Sequence, residues 1–314
     1  VTLLPYIKSA GELKTKPTQH SVGRLREIGI IPNILLCRTE RPVNKEQKEK
    51  IALFCNVDAD SVVEAADVKY IYEVPSALKK EGLDDLILRK LNIKLPDRGL
   101  KAWHDFVVER LKNPKYEVKI AVVGKYIALQ DAYKSIYEAL VHGGIANNAR
   151  VVVHKIDSED LEKGKFEQHF KGIQGILIPG GFGSRGIEGK IRAVKYAREN
   201  KIPFFGICLG MQVATIEFAR DICGMKDANS TEFDKDTKYP VISLLEEQKN
   251  VKKMGATMRL GSYACALEKH TKSADLYKQA KVSERHRHRY EFNNEYKKTM
   301  EDKGLIFAGV NRER

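Results

Sequence analysis

Short apolar runs alternate along this chain with stretches of helical spacing, the signature of strands and helices taking turns. Over the first hundred residues, 33–37, 51–55 and 68–72 read as buried parallel strands. Residues 21–28, 76–81 and 100–111 have helical spacing between and after them, and Val1 to Tyr6 already lies inside a strand. The polar, proline-bearing stretch 112–117 breaks this rhythm and predicts a linker. Beyond it, 118–126 reads as a strand running into a turn, 131–142 as a helix and 151–154 as a second strand. The apolar run 174–178 then ends in Pro179-Gly180-Gly181-Phe182-Gly183, followed by a helix over 189–199, a buried strand over 202–207 and a helix from Met211 to Ala219. The expected fold class is α/β, with two doubly wound, mostly parallel sheets in domains 1–111 and 118–314.

One residue in this pattern carries chemistry. Cys208 stands in Gly206-Ile207-Cys208-Leu209-Gly210, where a strand must turn sharply into a helix. That is the elbow geometry known for serine in Gly-x-Ser-x-Gly. The glycines leave room for a strained backbone, and the helix N-terminus is expected to lower the thiol pKa and favour thiolate. Gly180 and Gly181 can offer backbone N–H groups to an oxyanion on an attacked carbonyl. A lone cysteine is more often a small buried residue. The cysteine turn and the glycine turn together favour a nucleophile.

The composition narrows the function classes. At 314 residues with 42% hydrophobic and 31% charged content, the chain resembles an ordinary globular protein of two domains. No stretch approaches the ~20 apolar residues a membrane span needs. Cysteines 37, 55, 208, 223 and 265 lie far apart, which fits reduced thiols in a cytoplasmic protein, not disulfides or zinc. A net charge of +13 invites a nucleic-acid reading, but the basic residues are spread out and mixed with acids. A basic surface with nucleotide sites explains them better, so neither nucleic acid nor membrane is an expected partner.

Two polar runs stay open on chemistry alone. Lys14-Thr15-Lys16-Pro17-Thr18-Gln19 offers ammonium, hydroxyl and amide groups, suited to a phosphate tail and a base edge or to an exposed loop. His286 and His288, in Arg285-His286-Arg287-His288-Arg289, share one face of a strand. Flanking arginines repel a cation and depress an imidazole pKa, so this run reads as structural and anion-facing. Glu232 is either a surface acid or the partner of a substrate ammonium near the thiol.

The two-part cysteine motif resembles class-I glutamine amidotransferases. Further stretches resemble the CTP synthase family: Gly11 to Ser21, Asp227 to Phe233, Gly255 to Gly261 and Glu284 to Glu291. Residues 1–111 then correspond to the C-terminal part of a P-loop-like amidoligase domain, and 118–314 to a glutamine amidotransferase domain. The resemblance implies that ATP phosphorylates the 4-oxygen of UTP and that ammonia, freed from glutamine at Cys208, displaces the phosphate to give CTP. It assigns oxyanion and glutamine contacts to Gly180, Gly181, Leu209, Gly210, Met211, Gln212, Glu232 and Arg289. UTP, or CTP as feedback inhibitor, falls to Lys14, Thr15, Lys16, Pro17, Thr18, Gln19 and Lys50. ATP falls to Arg38, Ala66, Asp67 and Val68, magnesium to Glu12, and the allosteric activator GTP to Arg185 and Arg259. A homotetramer, with filaments as a further assembly, is the implied working form.

Family features are missing from these 314 residues. No phosphate-cradling glycine loop with Lys-Ser/Thr precedes Gly11, and the His-Pro-Glu motif that supplies the family's base would follow Arg314. Residues 246–253 also look shorter than in many relatives. The 314 residues alone are therefore expected not to turn over glutamine. Two other readings compete: a different class-I amidotransferase, such as a GMP or carbamoyl-phosphate synthase subunit, and a catalytically dead regulatory or filament-forming relative.

Overall fold

Parallel strands organise both halves of the computed structural model, which describes residues 1–163, 166–244 and 258–311. The chain divides into two units, Val1–Lys115 and Tyr116–Arg314. The segment 246–253, expected to be shorter than in many relatives, lies outside the described residues.

In the first unit, β1 (Thr2–Leu4), β2 (Leu35–Thr39) and β3 (Val62–Ala66) lie side by side in that order. All run parallel, with Thr2 opposite Cys37 and Leu35 opposite Val62. Helices α1 (Lys16–Glu27) and α2 (Lys45–Cys55) supply the connections. They turn Val22, Ile51, Ala52 and Cys55 onto Leu4, Leu35, Cys37 and Val62 to form one core. After β3 come α3 (Val74–Lys80) and α4 (Leu83–Lys90).

Three expectations change here. Residues 51–55 are the end of α2, not a strand. Ile51, Ala52 and Cys55 face inward while Leu53 and Phe54 are 78% and 58% exposed, the spacing of a helix face. A five-residue apolar run does not separate the two possibilities. The signal that does is the Asn44–Gln47 capping box, in which each side chain satisfies the other's backbone N–H. The third strand is Val62–Ala66, while Ile71–Glu73 forms a 3-10 turn whose Tyr72 carbonyl accepts a 2.9 Å bond from Trp103 Nε1. Helix α1 begins at Lys16, earlier than Ser21, because Pro17 suits a first helical turn. Lys14 precedes the helix and Lys16 opens it, so the two do not point the same way along one extended segment.

In the second unit, β4 (Tyr116–Gly124), β5 (Ala149–Asp157), β6 (Gly175–Ile178) and β7 (Phe204–Gly206) form a parallel sheet in the order β5-β4-β6-β7. Every residue of β6 is buried, as expected of a central strand covered on both faces. The connecting helices are α5 (Lys134–Ala146) and α6 (Ile187–Glu199), and α7 (Leu209–Asp221) follows β7. Helices α6 and α7 are tied by Arg198, which grips the buried Glu217 through bonds of 2.7 and 2.9 Å. Beyond α7, β8 (Ala228–Ser230) and β9 (Tyr239–Ser243) run parallel and β12 (Glu291–Phe292) antiparallel to them. A long antiparallel hairpin, β10 (Arg259–Leu267) with β11 (Lys281–His288), carries β13 (Gly309–Val310) on its edge. Among the described residues, no helix is long and apolar enough to cross a membrane.

One polar residue sits oddly in this core. Lys190 on α6 is only 2% exposed and its ammonium has no hydrogen-bond acceptor among the described residues. Burial, then the charge of Lys125, pulls its pKa down from 10.5 to about 8. A lowered lysine pKa means that folding disfavours the charged form. The penalty is full below about pH 8 and fades as pH rises towards 10.5. Lys190→Met is accordingly expected to stabilise the chain by about 1–3 kcal/mol at neutral pH, with the gain shrinking at alkaline pH. Urea melts of both proteins across that range measure it, and a gain independent of pH would contradict the assignment.

Candidate active site

Cys208 occupies the elbow between β7 and α7 with φ +53° and ψ −105°, a region a residue with a side chain rarely adopts. The surrounding backbone leaves it no alternative. Ile207 N–H bonds to Ile178 O at 2.9 Å, extending the β6–β7 pairing to the last residue before the cysteine. Immediately after it, Met211 and Gln212 N–H groups bond to Cys208 O at 3.0 and 3.1 Å and start the helix. A Cβ on Gly206 would stand 2.4 Å from the Gly210 carbonyl carbon, and one on Gly210 would stand 2.2 Å from Ile178 O. Both glycines are therefore required by close packing.

The glycine turn after β6 lies alongside. A Cβ on Gly180 would be 3.4 Å from Cys208 Cβ and 3.9 Å from Sγ, and one on Gly181 would be 3.4 Å from Leu209 Cδ2. The amides of Leu209 and Gly181 lie close enough to the half-buried thiol to favour its thiolate. Their effect does not win. Burial, reinforced by the charge of Glu232, raises the Cys208 thiol above its ordinary value, against the expectation of a lowered one. Removing water from around the sulfur outweighs what the helix terminus and two N–H groups return.

Glu232 is close enough to the thiol for its charge to raise the thiol pKa. Its Oε1 accepts the Gly183 N–H at 2.8 Å, which joins the segment after β8 to the glycine turn. Leu209 and Gln212 are buried, so of the four residues 209–212 only Met211 presents an exposed side chain. Gln212 Nε2 donates to Tyr290 O at 2.9 Å and so fixes the loop that carries the half-buried Arg289.

The pattern of apolar runs did not single out the residues that hold the glycine turn from the side. Lys125, just past β4, donates to the Phe182 carbonyl, and Arg185 Nη2 donates to Lys125 O at 3.3 Å. Arg185 also pairs with Glu159 at 3.1 Å and lies over the Tyr126 ring. Gly124-Lys125-Tyr126, a glycine and a cation at the end of a buried strand, was the available signal. Arg259 stands in a different neighbourhood, 2.8 Å from Glu291 and over the Tyr263 ring. His286 and His288 do share a face, with Nδ1 atoms 3.2 Å apart. Both imidazoles are lowered as expected, but burial leads, followed by Arg259 for His286 and by His286 for His288. The flanking arginines are not the cause. No group of three metal-ligating side chains gathers among the described residues.

In the first unit, Glu12 pairs with Lys14, which holds its carboxyl below the usual range, and Lys50 adds to the effect. Lys16 and Pro17 open α1 with exposed side chains. Thr18 is fully buried, its hydroxyl engaged with Thr2 Oγ1 at 3.0 Å and Leu3 O at 3.1 Å. Gln19 Nε2 donates to Thr15 Oγ1 at 3.2 Å. Arg38 pairs with Asp67 at 3.0 Å across the carboxyl ends of β2 and β3, where Ala66 and Asp67 are exposed.

Comparison with known proteins agrees with this geometry. Residues 128–314 match the family Glutamine amidotransferase class-I, and residues 1–93 match CTP synthase N-terminus. The chain is 55% identical over its whole length to the CTP synthase of Trichlorobacter lovleyi and covers 59% of that protein. It is 56% identical to the CTP synthase of Methanocaldococcus jannaschii over 98% of this chain and 58% of that one. It thus spans somewhat over half the length of these relatives. Among solved structures, the glutaminase domain of Trypanosoma brucei CTPS with bound acivicin superposes with a TM-score of 0.58 and 42% identity, covering 62% of this chain and 75% of that one. With an amidotransferase elbow in one unit and a match to the CTP synthase N-terminus in the other, the chain belongs to the class-I glutamine amidotransferases and is similar along its whole length to CTP synthases.

Proposed function

We propose that this chain carries the glutaminase half and part of the amidoligase half of a CTP synthase, aminating UTP with ammonia from glutamine. The observation that carries the reading is the strained Cys208, its thiol close to the Leu209 and Gly181 amides beside the glycine turn. Glutamine enters with its α-ammonium on Glu232 and its α-carboxylate on Arg289. The Cys208 sulfur attacks the side-chain amide carbon, and the amide oxygen becomes an oxyanion facing the Gly180–Gly181 turn. The C–N bond then breaks, a proton passes to nitrogen, and ammonia leaves a glutamyl thioester that water hydrolyses to glutamate. In the amidoligase half, ATP transfers its γ-phosphoryl group to O4 of UTP. Ammonia adds at C4 and phosphate departs.

Lys14, Lys16 and Lys50 would hold the pyrimidine triphosphate, with CTP competing there. Arg38, Ala66, Asp67 and Val68 would hold ATP. Glu12 by itself does not fit a magnesium site, since its carboxylate is paired with Lys14 and feels Lys50. Activation by GTP near Arg185, a homotetramer that assembles further into filaments, and a cytoplasmic setting complete the proposal. Five free cysteines are in keeping with a reducing compartment.

A thiol raised by burial needs a base to take its proton. The 314 residues alone are accordingly expected to show little glutamine turnover, while Cys208 stays open to alkylation. Incubation with glutamine and an ammonia assay checks this, and turnover at the rate of a full-length relative would show that a base lies within these residues.

In a full-length enzyme carrying this sequence, Cys208→Ala is expected to abolish CTP formation from glutamine and to spare it from free ammonia. Loss of both in a folded variant would sink the division of labour. Lys16→Ala is expected to weaken UTP and CTP binding by roughly one to two decades, the loss of a charge-assisted phosphate contact worth about 1.5–3 kcal/mol. Equilibrium titration of both nucleotides decides it, and unchanged binding removes Lys16 from the site.

A further inference from the structure

His286 and His288 alternate with arginines along β11, and the proposed reaction uses neither of them. Two residues apart on a strand, they project from one face, and their Nδ1 atoms stand 3.2 Å apart. The ring centroids are 5.1 Å apart and the planes meet at 75°, so two nitrogens converge without the rings stacking. Arg285 and Arg287 fall on the opposite face and are exposed, which carries the charges expected to repel a cation away from the imidazoles. Arg259, opposite His288 in the β10–β11 register, is paired with Glu291 at 2.8 Å. Glu284, two residues before His286 on the same face, adds a carboxylate there. Opposite His286 stands Gly261, where a Cβ would meet nothing within 4 Å among the described residues. Cross-strand neighbours share a face, so there is room beside the imidazole pair.

Convergent imidazole nitrogens suit the borderline divalent metals zinc, copper and nickel. Two nitrogens each about 2.0–2.1 Å from one ion stand about 2.8–3.0 Å apart at a right angle and about 3.3–3.4 Å apart at a tetrahedral one. The observed 3.2 Å lies between these limits, so an ion fits the pair with little movement of either ring. We propose that His286 and His288 chelate one divalent transition-metal ion in an open site, with water completing its coordination. Two protein ligands, with no third among the described residues, make this an exchangeable site, unlike a closed structural one. Without the ion, a hydrogen shared between the two Nδ1 atoms holds the pair. On binding, the ring that carries this hydrogen bears it at Nε2 instead, so both rings stay neutral and no net proton is released. Magnesium prefers oxygen ligands and does not suit the pair.

Calorimetric titration of the protein with nickel chloride, and separately with magnesium chloride, tests the site. One nickel ion is expected to bind and to raise the midpoint of urea unfolding, because the unfolded chain does not hold the two rings together. Magnesium should do neither. His286→Asn and His288→Asn should each weaken nickel binding by at least about tenfold, the least that disturbing a ligand's support costs. Circular dichroism establishes that each variant is folded. The chain has eight histidines and five cysteines, so the place of binding matters as much as its strength. Nickel held with unchanged affinity by either folded variant sits elsewhere and overturns the proposal. In the wild-type protein, nickel should also shield His286 and His288 from acylation by diethyl pyrocarbonate, read by mass spectrometry of their peptide. Binding without that shielding overturns the proposal even where a variant fails to fold. No nickel binding to the wild-type protein at up to about 1 mM overturns it too, and leaves the pair as a hydrogen bond only.

Discussion

The positive φ of Cys208 is the constraint on which the second unit depends, because it is a cost that only the surrounding packing can offset. Strand β7 must pair with β6 up to Ile207, and α7 must begin at Leu209, with no residue between them free to relax. Gly206 and Gly210 make this possible by letting backbone touch backbone, at separations no Cβ would tolerate. The helix behind the elbow is anchored in turn by Glu217, buried and gripped by Arg198 of α6. Strain at one residue is thus carried by a parallel sheet, two helices and one buried ion pair.

What that geometry presents is a thiol harder to ionise than an ordinary one. Two opposing effects meet at the sulfur, and burial with Glu232 prevails over the amides of Leu209 and Gly181. The same low-dielectric setting that raises the thiol would strengthen those amides once an oxyanion forms. The Glu232 carboxylate holds Gly183 in place, and in the proposed reaction it would also receive the substrate ammonium. The turn is braced from the far side by Lys125 and Arg185, so the candidate site is assembled from the ends of β4, β6 and β7 and from the segment after β8.

The first unit follows the same plan with a different surface. Its candidate nucleotide residues gather beyond β2 and β3, at Arg38 and Asp67, and around the start of α1, at Lys14, Lys16 and Lys50. Within one short polar run the residues have unlike fates: Lys16 reaches solvent, Thr15 and Gln19 bond to each other, and Thr18 packs against β1.

The sequence by itself determined the α/β class, the elbow at Cys208, the glycine turn beside it and the family, because each of these is written in contiguous residues. Parallel strands buried on both faces need continuous apolar runs, and sharp turns need glycine, so both are visible locally. Tertiary structure decided the rest. Whether 51–55 is strand or helix depended on which side chains found a core, since Ile51 and Cys55 turn inward and Leu53 outward only once α2 packs on the sheet. The direction of the Cys208 shift depended on how much water the fold removes from the sulfur, which no local motif records. The roles of Lys125 and Gln212 required partners 57 and 78 residues away, at Phe182 and Tyr290. Burial and electrostatics are properties of the assembled chain, so residues whose function lies in distant contacts stay silent until it folds.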